Sequence, residues 1–127
     1  MIVIDTSAII TILLHEPKAV VCMQAIEQET EISLSAGTLT ETLIVAGRRG
    51  IGLEAATFIA ELDIEIVSVT PASARRAADA YARWGKGVHP ASLNFGDCFA
   101  YELAMTRNCP LLFVGNDFAQ TDVTSAL

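Results

Sequence analysis

The sequence predicts an α/β fold, a parallel sheet covered by helices on both faces, on three observations. Short apolar runs at residues 2–4, 31–34, 64–67 and 111–114 have strand length. Helical stretches separate each run from the next, and such alternation makes a parallel sheet with crossover helices. No repeat, low-complexity segment or linker divides the 127 residues, so 1–127 is expected to be a single domain with a core of its own.

The elements follow in order. Residues 2–4 form the first strand. A helix over 7–14 comes next, with Thr6 or Ser7 able to cap its first N–H groups. Pro17 opens a second helix reaching 29, and 31–34 is strand two. Ser35 caps a helix over 36–49, which Gly50 and Gly52 end. A further helix over 53–62 leads to strand three at 64–67. Pro71 suits the first turn of the next helix, which ends near Trp84-Gly85. Residues 85–93, with Gly, His and Pro, are a loop. Asn94 caps a helix carrying Asp97 to Asn108, Pro110 stops it, and strand four covers 111–114. An edge strand at 122–124 completes the expectation, for a sheet of four or five strands.

Composition narrows the function classes. The apolar share is 52%, charged residues are 18%, and mean hydropathy is +0.45. The apolar runs are nevertheless too short to span a bilayer and are broken by Asp, Glu, Thr or Gly. Residues 2–14 lack a basic leading segment and contain Asp5, which argues against a signal peptide. The surplus apolar surface then serves buried parallel strands and an oligomer or partner interface. Cys22, Cys98 and Cys109 are odd in number and have no C-x-x-C spacing, which suits reduced thiols in the cytoplasm. A net charge of −7 runs against a nucleic-acid partner unless bound cations offset part of it.

Four acids stand out: Asp5, Glu41, Asp97 and Asp117. Asp5 ends strand one, Asp117 lies three residues past strand four, Asp97 opens a helix, and Glu41 interrupts an apolar helical stretch. Ligands of such sheets bind outside the carboxyl ends of the strands, where strand order reverses. Carboxylates gathered there repel one another, and the usual offset is a hard divalent cation with oxygen ligands. Taken singly, each has an ordinary explanation: Asp5 as a helix cap, Asp97 as a partner of the helix dipole, Asp117 as a turn residue. Glu41 is the exception, because no basic residue lies between Lys18 and Arg48 to pair with it. Asp122 is a candidate substitute for Asp117, although capping or turn hydrogen bonds are its more ordinary role.

The segments Val3-Ile4-Asp5-Thr6-Ser7-Ala8, Asn94-Phe95-Gly96-Asp97-Cys98 and Leu112-Phe113-Val114-Gly115-Asn116-Asp117-Phe118, with Glu41 on its helix and Thr121-Asp122 after them, resemble a PIN domain. The likeness is to the VapC type, ribonuclease toxins of toxin–antitoxin pairs, and covers essentially the whole chain. It implies a Rossmann-like α/β/α sandwich and an endoribonuclease using one or two Mg²⁺ or Mn²⁺ ions. It implies Asp5, Glu41, Asp97 and Asp117 as the catalytic, metal-holding quartet, with Thr6, Ser7, Asn94 and Asp122 supporting it by hydrogen bonds. It further implies an RNA substrate such as tRNA or rRNA, a homodimer, and an antitoxin peptide inserting into the acidic site. Arg48, Arg49, Arg75, Arg76, Arg83 and Lys86 are candidates for contact with the RNA backbone.

Three other readings compete. Haloacid-dehalogenase-like phosphatases need a second Asp two residues after the first, where this chain has Ser7. Response-regulator receivers need a phospho-accepting Asp after strand three, and none follows 64–67. A catalytically weak dimeric module that binds RNA or protein is separated from the nuclease only by activity.

Overall fold

The computed structural model describes residues 1–127. Strands β1 (Ile2–Ile4), β2 (Ile32–Ser35), β3 (Glu65–Val67) and β4 (Leu111–Leu112) form one sheet in the order β3-β2-β1-β4, every pair parallel. The connections are helices α1 (Thr6–Leu13), α2 (Ala19–Glu27), α3 (Ala36–Arg48), α4 (Gly52–Glu61), α5 (Pro71–Trp84) and α6 (Asp97–Arg107).

Side-chain alternation along the strands divides the core into two layers. Ile2, Ile4, Leu34 and Leu112 pack with α1, α2 and α4 through Ile9, Cys22, Ile26 and Ile59. Val3 and Leu111 point the other way, toward Ala77, Trp84, Ala100 and Leu103 of α5 and α6. A sheet sealed on both faces explains why β1, at its centre, reads as an unbroken apolar run.

The ends of elements differ from expectation in instructive ways. Asp5 caps α1, its carboxylate accepting the Ser7 N–H at 3.0 Å, so neither Thr6 nor Ser7 is the cap. The second helix begins at Ala19, after a turn in which the Glu16 and Ala19 amides bond back to Thr11 and Glu16. Ser35 caps α3 as its position predicts, and Gly50 takes φ +72° just past the helix end. β4 is only two residues long, so the tail adds no strand over 122–124. It makes a single bridge, Leu111 with Ser125, flanked by bonds to Thr124 and Ala126. No helix is long and apolar enough to cross a membrane.

Candidate active site

The strand order reverses between β1 and β4, and a cleft of about 370 Å³ opens at their carboxyl ends. Asp5, Glu41, Asp97 and Asp117 all line it, with Thr6, Ser7 and Asn94 beside them. Four segments as much as 112 positions apart in the chain are therefore brought to one place.

Asp5 is buried at the end of β1 and uses its two oxygens differently. Oδ2 accepts the Ser7 N–H and the Ser7 hydroxyl, the latter at 2.6 Å. Oδ1 is buried with no hydrogen-bond partner at all. Ser7 also accepts the Val114 N–H at 3.0 Å, so one hydroxyl joins Asp5 to the segment leading to Asp117. Thr6 turns away into α3, pairing with the Thr42 hydroxyl and donating to the Thr38 carbonyl.

Asp97 and Asn94 hold each other in a reciprocal pair. The Asp97 N–H donates to Asn94 Oδ1 at 2.8 Å, and the Asn94 N–H donates to Asp97 Oδ2 at 3.0 Å. This fixes the Asp97 carboxylate at the start of α6. Between them, Gly96 lies against the Glu41 carboxylate so closely that any Cβ there would collide with it. A side chain at Gly96 would push the Glu41 carboxylate out of its place beside the start of α6. Asp117 precedes a 3₁₀ turn at Phe118–Gln120 and is exposed at the cleft edge.

None of the four acids takes part in an ion pair. Burial pushes the Asp5 carboxyl up to about 6 against the opposing pull of the Ser7 bonds, and Glu41 adds to the rise. Burial likewise pushes Asp97 up to about 7, and the charges of Asp5, Asp117 and Glu41 raise it further. The same field names the group that would relieve it. No three of these side chains converge closely enough to cage an ion by themselves. Mg²⁺ keeps several waters and is usually bound through one or two carboxylates. An orphaned carboxylate oxygen on Asp5 and hard oxygen donors around a cleft with room for several waters fit such an ion.

Other expected participants lie elsewhere. Asp122 accepts the Tyr101 hydroxyl at 2.5 Å and faces Arg83 at 3.6 Å, and it does not line the cleft. It secures the tail against α5 and α6, where Tyr101 also accepts from the Trp84 indole. Arg76 is bonded to Glu102, while Arg83 lies 4.5 Å from the Trp84 ring centroid. Glu16 at the end of the α1 turn lines the cleft as a fifth acid and was not foreseen. Gly96 was not foreseen either; its place directly before Asp97 was the only available signal.

Comparison with known proteins agrees with this fold. The PIN domain family profile matches residues 2–123. Ribonuclease VapC of Mycolicibacterium smegmatis is 40% identical, over 97% of this chain and 98% of its own length. Ribonuclease VapC28 of Mycobacterium tuberculosis is 42% identical, over 98% and 97%. Among solved structures, Mycobacterium tuberculosis VapC20, described as a sarcin-ricin loop cleaving toxin, superposes with a TM-score of 0.79 at 15% identity, covering 98% and 97% of the two chains. A chain of a toxin–antitoxin complex from Klebsiella pneumoniae gives 0.75 at 16% identity, covering 100% and 98%.

Proposed function

We propose that this chain, which belongs to the PIN-domain family and is an endoribonuclease toxin of the VapC type, cuts RNA by metal-assisted hydrolysis in the acidic cleft. The observation that carries the site assignment is the buried, unpartnered Oδ1 of Asp5, a residue of a cleft lined by further acids without a cation. When bound, Mg²⁺ or Mn²⁺ would supply Lewis acidity toward a phosphate oxygen and a water.

The residues divide the remaining work. Asp5, Asp97 and Asp117 would hold the ion together with water that completes its shell, and Glu41 would bind it directly or through water. Ser7 and Asn94 orient Asp5 and Asp97, each by two hydrogen bonds. An ionised carboxylate beside a water can accept its proton as the oxygen attacks phosphorus, and the 3′ oxygen departs with the bond it held. Thr6 supports the site indirectly, by tying α1 to α3.

The reading includes two protein partners, a second copy of the chain and an antitoxin peptide bringing arginine into the cleft. Supporting them are the unneutralised carboxylates and exposed apolar side chains such as Val20, Leu53 and Phe95. Free cysteines and the missing membrane-length helix support a cytoplasmic place of action. The substrate would be a structured RNA such as tRNA or rRNA.

The test is cleavage of total cellular RNA by purified protein with Mg²⁺, with Mn²⁺ and with chelator, beside Asp97→Asn. Discrete cuts that need metal are expected, with loss on the order of a thousandfold in the variant. Equal cutting by the variant would refute the assignment. A folded wild type that cuts nothing would favour the binding module.

A further inference from the structure

We propose that Arg48 and Arg49, at the carboxyl end of α3, bind the phosphates of the RNA strand flanking the one cleaved, so that α3 is the strand's guide rail. The inference rests on the ribonuclease reading and adds a substrate-positioning site to it.

The geometry begins with Glu41 and Val45, both of which line the cleft. Residues three, four and seven apart share a helix face, so the row Glu41, Val45, Arg48 runs along one side of α3. Arg48 lies about 10 Å along the axis from Glu41, at 1.5 Å per residue. That is the reach of about three stacked nucleotides at ~3.4 Å per strand. This end of α3 is seated firmly on the fold, because Ile10, Leu14, Val45 and Ile51 pack with buried Ala46, and the two arginines lie just beyond the residues that line the cleft. Arg49 is the C-cap residue, and both arginines are exposed.

Charge supports the same assignment. Arg76, Arg83 and Arg107 are held by Glu102, Asp122 and Glu65. Arg48 and Arg49 have no ion pair, and α3 is the one cleft-lining helix that carries arginine without one. A chain of net charge −7 whose cleft holds further acids repels a polyanion. It needs a local cationic foothold to keep the strand in place, and two adjacent guanidinium groups suit phosphate. Arginine at a helix end also complements the dipole. That role would alter melting temperature rather than RNA affinity.

The experiment measures anisotropy of a labelled single-stranded RNA with the Asp97→Asn protein, across salt concentrations in Mg²⁺ buffer. Adding R48A and R49A should weaken binding about tenfold and lower the slope of log affinity against log salt by roughly 1.4, two phosphates at ~0.7 each. R48K with R49K should recover most of the affinity, and Arg75→Ala on α5 should change nothing. An unchanged salt slope, an equal loss with Arg75→Ala, or no RNA binding at all would overturn the proposal. Loss of antitoxin binding with RNA affinity intact would overturn it in favour of a protein interface. Arginine-dependent RNA binding by a wild type that cuts no RNA would instead sink the nuclease reading and leave this one standing.

Discussion

Asp97 and Glu102 lie five residues apart on α6 and are equally buried, 6% and 7% exposed, yet their surroundings are opposite. Glu102 accepts from Arg76 Nε and the Thr106 hydroxyl, both at 2.8 Å. Asp97 has one backbone N–H and three neighbouring acids. Where only stability is at stake, the fold matches a buried charge with a cation. At Asp97 it leaves the charge without one and tolerates the repulsion. The contrast sets the proposed working end of α6 apart from its structural end.

The comparison is broken most sharply by Asp97→Asn, which should abolish cleavage and yet stabilise the metal-free protein by about 3 kcal/mol at pH 8. The sign follows from the raised carboxyls of Asp5, about 6, and Asp97, about 7. The folded state holds more protons than the unfolded chain between about pH 4 and 7. Their stabilising contribution is therefore complete below about pH 4 and lost as pH rises through 7. Metal-free melting temperature should fall across that window, more shallowly in the variant. A wild type as stable at pH 8 as at pH 5.5, with other groups unchanged, would contradict the cleft's electrostatics.

Arg76→Ala tests the other end of the helix. It strands the buried Glu102 carboxylate, and because Arg76 is half exposed the loss should be about 2 kcal/mol rather than the full cost of a buried pair. Thermal or urea unfolding would read this. Cleavage per folded molecule should stay at the wild-type level, whereas a matching loss of cleavage would mean that the two ends are not independent.

What the sequence disclosed follows the same division. Strand alternation and the Ser35 cap were legible because each rests on local periodicity or capping chemistry, whereas the four acids that line the cleft stood out only as a set, since most of them have an ordinary explanation alone. Whether Asp122 reaches the cleft was not legible, because proximity to Asp117 in sequence says nothing about which way the tail turns. Its partner Tyr101 lies 21 positions away, on α6. Glu16 and Gly96 were missed for a related reason. Glu16 looks like any surface acid, and Gly96 matters only through Glu41, 55 positions earlier.

Ser7 gives the smallest effect and the finest division between holding a fold and preparing a site. Its hydroxyl donates to Asp5 and accepts from Val114, yet the Asp5 cap survives through the Ser7 N–H when the hydroxyl is removed. Ser7→Ala should therefore lower stability by only about 1 kcal/mol. It should lower kcat about tenfold with KM unchanged, because Asp5 and the segment leading to Asp117 lose their common fixture. Ser7→Thr, which keeps the hydroxyl, should recover most of the rate. If the alanine variant regains full kcat once temperature is lowered to restore its stability, Ser7 holds only the fold, and the open end of α6 is prepared by Asn94 alone.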